Sequence, residues 1–182
     1  ETCPHYLALD DTDVAAIGPN ARCSPPIRDA ANRRRLLALL AEGHIATVAS
    51  DHSPCPPAFK AQHPPWNGIA SAQTTLSVLL SLGLPVPRVS HLLTAAADQL
   101  GLRAKGAIAP GRDADLVLVD PATSWVLTTG DLHQRAPELS PYLGRRLVGR
   151  VHTTMLRGRI AFCDGEHGEP AGRFLAGPAA GR

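Results

Sequence analysis

The sequence predicts an α/β fold for about its first hundred residues and a small β-rich region after them. Two features indicate this: short apolar runs alternate with helix-like segments up to Gly101, and compact apolar runs separated by Gly-containing turns follow from Lys105. Alternation of strands with helices is typical of parallel βα units. A parallel sheet of two or three strands would leave its edges and faces uncovered, so we expect these elements to belong to a larger architecture.

Three helices are predicted in the first part. Asp29 is a suitable N-cap for the segment "AANRRRLLALLAEG", whose leucines fall on one helical face, and Gly43 fits the stop at its end. Segments 71–83 and 88–101 each combine helix-forming residues with a closing glycine. Short strands are predicted within residues 1–9, 19–29 and 44–51.

The second part has the pattern of paired strands. A compact apolar run from Leu116 to Val119 predicts one strand, and residues 147–166 predict two strands that turn at Arg157-Gly158. The segment from 166 to 182 is rich in Gly, Pro and Ala and is predicted to be a disordered tail.

Composition narrows the function classes. The formal net charge is only +2 and aromatic residues make up 4% of the chain, so we expect no nucleic-acid partner. No apolar stretch approaches the roughly 20 residues of a membrane span, so we expect no membrane partner. The four cysteines show no paired spacing, which favours reduced thiols and a cytoplasmic location.

Metal-binding side chains follow the predicted short strands. The stretches "TCPHY", "CSPPIR" and "SDHSPCPP" stand at strand ends, where the reacting residues of βα enzymes collect. His5 and Asp51 have the ligand types that suit zinc. The alternatives are a hydrogen-bonded loop histidine, a turn-forming aspartate, or a compact zinc site. That last alternative would combine Cys3, His5, His52 and Cys55.

Other chemically capable residues are expected to have structural or solvated roles. These are loop hydroxyls (Ser24, Ser53), solvated lysines (Lys60, Lys105) and small buried thiols (Cys3, Cys23, Cys55).

Several motifs occur together in a recognisable order: "ETCPHY", "CSPPIRDAANR", "VASDHSPCPP", "WNGIASAQ", "KGAIAPGRDADLVLVDP" and "SPYLGRRLVGRVHTTMLRGR". In these motifs the chain resembles the C-terminal part of allantoinases, in the cyclic amidohydrolase group with hydantoinases, dihydropyrimidinases and dihydroorotases. The resemblance implies that residues 1–104 form about the last three βα units of a (β/α)8 TIM-type barrel. It also implies that residues 105–165 form strands of a small β-sandwich domain.

The resemblance implies a binuclear zinc site bridged by a carbamylated lysine. His5 and Asp51 match two of its ligands, and Asp51 also matches the general acid/base. Ser24 matches a residue whose backbone contacts the cyclic amide, and Asn67 matches a substrate-ring contact. The remaining ligands and the bridging lysine have no counterpart in this sequence, so the isolated chain is expected to be inactive.

The expected activity of the complete protein is hydrolysis of the hydantoin ring amide of allantoin, a small-molecule substrate, to allantoate. Asn67 stands where allantoinases more usually have glycine, which keeps open a hydantoinase- or dihydropyrimidinase-like hydrolase. A non-catalytic assembly protein of the same fold is the other alternative, although such relatives typically lose metal ligands and this chain retains both. The resemblance also implies a homo-oligomer, either a dimer or a tetramer.

Overall fold

Seven short α-helices and a four-stranded antiparallel sheet make up the described part of the chain, residues 1–175 of this computed structural model. The helices are α1 (Pro4–Ala8), α2 (Asp11–Ile17), α3 (Ala30–Ala41), α4 (Pro57–Lys60), α5 (Thr75–Ser81), α6 (Val86–Thr94) and α7 (Ala96–Gln99). The strands, in their order across the sheet, are β1 (Leu116–Val126), β2 (Arg146–Leu156), β3 (Arg159–Cys163) and β4 (Glu166–His167). The prediction of an α/β chain with an antiparallel β region is confirmed.

The first short strand predicted is a single parallel bridge in the structure. Thr2 pairs with Val48: the Thr2 N–H donates to the Thr47 carbonyl (3.1 Å), and the Thr2 carbonyl accepts from the Ala49 N–H (3.0 Å). Pro4 ends this pairing because it has no N–H, and it begins α1 instead. This single bridge joins the start of the chain to the segment that precedes Asp51.

A second parallel bridge joins His52 to Ile69, with the Ser53 N–H donating to the Ile69 carbonyl at 2.9 Å. By contrast, the strand expected within residues 19–29 does not form. That segment begins in a 3-10 turn, and its Pro-Pro pair has no N–H to contribute to a ladder.

The predicted N-cap of α3 is confirmed. The Asp29 carboxylate accepts the Asn32 N–H at 2.7 Å, and Gly43 follows the helix with φ 88°. The sequence missed α2, although its capping signal is visible in "DDTD". The Asp10 carboxylate accepts backbone N–H groups of α2, while the Asp13 carboxylate accepts the Asp10 N–H in return.

Two apolar clusters meet at α5. One connects the helical part to the sheet and includes Val78 of α5; its other buried members are Leu9, Cys23, Ile27, Ile69, Leu127, Leu132, Tyr142 and Leu147. The second lies among the helices and includes Leu79 and Leu80 of α5; its other buried members are Leu7, Leu40, Ile45, Val48, Val89 and Leu92. Helix α5 is therefore common to both cores.

Hydrogen bonds fasten α5 to β2. The Ser77 hydroxyl donates to the Gly149 carbonyl at 2.6 Å, and the Ser81 hydroxyl accepts the Val148 N–H at 2.8 Å. Gly149 has φ 83°, and a Cβ at this position would collide with the buried side chain of Leu80. The close approach of helix and strand therefore depends on glycine at this position.

The sheet extends beyond the strands that the sequence predicted. β1 continues to Val126, and its register shifts between Asp120 and Ser124. At this shift the Asp120 carboxylate accepts from Ala122 and Thr123 in place of ladder partners. Because this register shift interrupts the regular pairing of β1, the sequence pattern predicted only the first part of the strand.

The predicted turn of the second pair of strands is confirmed, because Arg157-Gly158 joins β2 to β3. Glu166 and His167, which the sequence assigned to the tail, form β4 and pair with β3. The part of that tail from 176 to 182 lies outside the described residues. Among the helices that the structure describes, none combines the length and the apolar character needed to cross a bilayer.

Lys105 does not lie free in solvent as the sequence suggested. Its ammonium forms ion pairs with Asp113 (2.8 Å) and Asp115, and these carboxylates raise its pKa. The pairs fasten the connection that leads into β1.

The polar link between helix and sheet gives a first prediction. Ser77→Ala should lower the free energy of unfolding by about 1–2 kcal/mol, because the buried Gly149 carbonyl loses its short hydrogen bond. Urea unfolding followed by circular dichroism measures the change. Ser90→Ala, at an exposed position of α6, is the matched control. Equal stabilities of the two variants would contradict the role of this bond.

Candidate metal centre

His5 lies in α1, directly after the bridge that Thr2 makes to Val48. Its side chain is completely buried, and neither ring nitrogen has a hydrogen-bond partner among the described residues. Buried polar groups are almost always hydrogen-bonded, because leaving one without a partner costs free energy. The structure therefore argues against the hydrogen-bonded loop histidine that was one sequence-based alternative. Each His5 ring nitrogen therefore has no hydrogen bond to another described residue that would prevent it from binding a ligand.

Asp51 is the acidic neighbour of this imidazole. One carboxylate oxygen of Asp51 lies 4.0 Å from His5 Nε2, and the Asp51 side chain is 46% exposed. Asp51 has φ 48°, a left-handed conformation that is uncommon outside glycine, asparagine and aspartate. This conformation occurs at the point where the chain leaves the short strand. Two residues far apart in sequence thus meet at one end of the parallel pairing.

Cys3 completes a group of three potential ligands. One ligand atom each from Cys3, His5 and Asp51 lie within 4.8 Å of one another. Within residues 1–175 this is the only cluster of three or more His, Cys, Asp or Glu side chains with such spacing. From the sequence, Cys3 was expected to be a small buried packing residue or, in the alternative zinc site, a ligand together with His5, His52 and Cys55. The structure places it beside His5 and Asp51.

Burial controls the protonation of this group. It lowers the pKa of His5 to about 4, although the Asp51 carboxylate acts in the opposite direction. Burial also raises the pKa of Cys3 to about 11, and the Asp51 carboxylate raises it further. At neutral pH the imidazole is therefore uncharged with a free lone pair, as a metal ligand must be. The thiol is protonated at that pH and is the weaker donor in the absence of a cation.

The alternative zinc site is not formed. His52 directs its Nδ1 atom at the backbone N–H groups of Ser71 (3.1 Å) and Ala72 (3.2 Å), which makes it a hydrogen-bond acceptor. Neither His52 nor Cys55 belongs to the three-residue group around His5. The structure therefore separates His52 and Cys55 from His5, whereas it brings Asp51 to it.

Ser24 and Asn67 are both exposed and make no hydrogen bond with His5 or Asp51. The segment of Ser24 is attached to α1, because the Tyr6 hydroxyl donates to the Pro25 carbonyl at 2.7 Å. The amide oxygen of Asn67 accepts the Arg22 Nε–H at 2.7 Å. That bond leaves the amide N–H groups of Asn67 free as donors.

Lys60 is the clearest error of the sequence interpretation. It was expected in solvent, yet the residue is only 6% exposed and its ammonium donates to backbone carbonyls. The sequence contains no signal for this role, since the partners are backbone atoms from distant positions.

The contact between the Asn67 and Asp51 segments gives a second prediction. A Cβ on Gly68 would collide with the Ser53 carbonyl oxygen, a backbone atom. Gly68→Ala should therefore lower the free energy of unfolding by about 1–3 kcal/mol. Gly130→Ala is the control, because its Cβ would meet its nearest neighbour at an ordinary 3.7 Å. Thermal unfolding compares the two variants, and a Gly68→Ala protein as stable as the control would contradict the close approach.

Comparison with known proteins identifies relatives along almost the whole chain. The allantoinase of Rubrobacter xylanophilus is 46% identical over 185 residues, which cover 96% of this chain and 40% of that protein. The allantoinase of Salmonella newport is 44% identical, with 96% of this chain and 41% of that protein covered. The chain therefore spans about two fifths of the length of these relatives. No family model matches it.

Solved structures give the same grouping. The L-hydantoinase (dihydropyrimidinase) of Arthrobacter aurescens has a TM-score of 0.78 and 29% identity over 90% of this chain and 39% of that one. The D-hydantoinase (dihydropyrimidinase) of a Thermus species has a TM-score of 0.81 and 30% identity over 93% and 40%. The predicted resemblance to allantoinases and their hydantoinase relatives is confirmed.

Proposed function

We propose, from the premise that this chain is a homologue of allantoinases, that it forms part of a metal-dependent cyclic amide hydrolase acting on allantoin. One structural observation supports the metal dependence most directly: His5 is buried with two unpartnered nitrogens beside the Asp51 carboxylate. The identity of 44–46% to curated allantoinases supports the substrate.

For the architecture, we propose that residues 1–104 are the last three βα units of a (β/α)8 barrel and that 105–165 belong to a small β-sandwich. Two parallel bridges and the helices between them support the first assignment. The antiparallel order β1-β2-β3-β4 supports the second. In this arrangement His5 and Asp51 follow the ends of barrel strands, where such enzymes have their active sites.

His5 and Asp51 are proposed to hold the metal, with zinc as the expected ion. A neutral imidazole and a carboxylate are suitable zinc ligands. A bound divalent ion supplies a water of lowered pKa and polarises the carbonyl that is attacked. Apart from Cys3, the described residues offer no further His, Cys, Asp or Glu within the same cluster. A two-metal site needs more ligands than these, so we expect the isolated chain to bind zinc weakly and to be inactive.

Asp51 has a second role in this proposal. Its carboxylate is partly exposed, which lets a substrate and an attacking water reach it. It accepts the proton of that water and donates it to the ring nitrogen as the amide bond breaks. An unstrained amide is a poor electrophile with a poor leaving group, so proton delivery to the nitrogen is as important as activation of the water.

Ser24 and Asn67 are proposed to orient the ring. Allantoin is neutral and rich in N–H and C=O groups, so backbone groups at Ser24 and the amide N–H groups of Asn67 suit its hydrogen-bonding pattern. The bond from Arg22 to the Asn67 oxygen supports this assignment, because it determines which end of the amide is available. The complete enzyme is proposed to be a homo-oligomer, either a dimer or a tetramer.

A hydantoinase- or dihydropyrimidinase-like activity is the second candidate. The solved structures with high TM-scores favour it, as does the presence of Asn67. Assays of the full-length natural protein on allantoin, hydantoin and dihydroorotate distinguish the candidates. Absence of allantoin hydrolysis by the metal-loaded protein would reject the first choice, and absence of all three activities would favour the non-catalytic alternative.

A third prediction concerns proton transfer. In the full-length protein, Asp51→Asn should lower kcat for allantoin by about 10²–10⁴-fold, since an amide cannot exchange the proton and is a weaker ligand. Steady-state kinetics measure the loss. Asp98→Asn, at an exposed position of α7, is the control and should retain the wild-type rate. An Asp51→Asn enzyme with full activity would disprove the assignment.

A fourth prediction concerns metal retention. His5→Gln should reduce zinc affinity by at least about 10-fold, because a buried ligand nitrogen is replaced. Competition with a chelator, followed by elemental analysis of the full-length protein, measures the affinity. His63→Gln at an exposed position is the matched control. If both variants retain zinc equally, His5 is not a ligand.

A further inference from the structure

Lys60, the last residue of α4, has its ammonium surrounded by backbone carbonyls. The four acceptors are the carbonyl oxygens of Pro19 (2.8 Å), Arg22 (3.1 Å), Trp66 (3.0 Å) and Gly68 (2.6 Å). An ammonium has three N–H donors, so one of its hydrogens is shared between two acceptors. No carboxylate pairs with Lys60 in the part of the chain that the structure describes.

Burial of the Lys60 ammonium is unfavourable in free energy unless its hydration is replaced. Moving a charge out of water costs several kcal/mol unless hydrogen bonds replace its hydration. An apolar side chain would avoid that cost, but the Trp66 and Gly68 carbonyls would lose their Lys60 donor. The Pro19 and Arg22 carbonyls would each keep a backbone N–H donor. The backbone carbonyls therefore form a cation site, and the Lys60 ammonium occupies it in place of a bound ion.

The four carbonyls come from two segments that contain the proposed substrate contacts. Arg22 precedes Ser24 by two positions, and Trp66 and Gly68 are the two neighbours of Asn67. The same segments are joined by the Gly68 N–H, which donates to the Arg22 carbonyl at 3.0 Å. Lys60 thus lies at the junction of both segments.

The connection continues to the proposed catalytic residue. Ile69 follows Gly68 and donates its N–H to the Ser53 hydroxyl at 3.2 Å. The Ser53 hydroxyl in turn donates to the Asp51 carbonyl at 3.2 Å. A displacement of Gly68 would therefore be transmitted to the turn that presents Asp51.

We propose that Lys60 is a positioning residue of the substrate site: its ammonium sets the separation of the Ser24 and Asn67 segments and so the orientation of the cyclic amide. This inference rests on the proposed function. Lys60 itself does not contact the substrate. It acts through carbonyls next to the two contact residues, so its removal should weaken ring binding more than it affects metal retention.

The test uses the full-length protein with Lys60→Met, which has a similar length and no donor. We expect the KM for allantoin to rise by about 10-fold or more with little change in kcat, because ground-state and transition-state contacts to the ring are lost together. Bound zinc should stay at the wild-type level. Amide hydrogen exchange should become faster in residues 22–28 and 66–69 but not in α3.

Lys105→Met is the matched control, because Lys105 is the only other lysine in the chain and its ion pairs lie in the connection to β1. It should lose stability without a change in KM. A Lys60→Met enzyme that is less stable but keeps the wild-type KM and loop exchange would reduce Lys60 to a structural residue and overturn the inference.

Two further measurements test the inference if Lys60→Met does not fold or if the wild-type protein has no activity. If Lys60→Met does not fold, Lys60→Arg retains the charge with a different shape. It should raise KM and loop exchange, and wild-type values for both would overturn the inference. If the wild-type protein hydrolyses no cyclic amide, the proposed function fails, whereas loop exchange in Lys60→Met still decides whether the ammonium holds the two segments together.

Discussion

The pairing of Thr2 with residues 47–49 is the contact on which the candidate site depends. Two backbone hydrogen bonds align these segments in parallel, so the residues that follow each segment emerge at the same end. His5 follows the first segment and Asp51 the second, which explains how residues distant in sequence come within 4.0 Å. The geometry of the site is thus set by backbone pairing, and the side chains need no direct attraction to meet.

Two buried basic side chains, His5 and Lys60, have opposite hydrogen-bonding surroundings. Burial lowers the pKa of His5 and leaves both ring nitrogens unpartnered, so this base is neutral and available. Lys60 is also buried and its pKa is also lowered by burial, but its ammonium is satisfied by carbonyls. Burial is therefore accompanied by an unpartnered imidazole in one case and by a hydrogen-bonded ammonium in the other. The difference lies in the acceptors that the backbone supplies.

The sequence was informative where the signal is local and less so where it depends on distant backbone atoms. The cap of α3 by Asp29 and the turn at Arg157-Gly158 were predicted because each signal lies within a few residues. The strand-end rule identified the stretches that contain His5 and Asp51 as candidate site segments, and the resemblance to allantoinases predicted that the two residues belong to one site. Lys60 could not be assigned, because its four acceptors come from other segments and backbone carbonyls have no sequence signature.

The position of α5 in both apolar cores links the unfolding of the sheet to the unfolding of the helical part. It contributes Val78 to the core shared with the sheet and Leu79 and Leu80 to the core among the helices. Elements that share buried side chains tend to open as one cooperative unit. Unfolding of the sheet would expose one side of α5 and weaken the packing of Leu7 and Val48 against this helix. Leu7 and Val48 lie in the segments that contain His5 and precede Asp51. Heat or denaturant should therefore abolish the site and the sheet at the same midpoint, although no residue of the sheet belongs to the site.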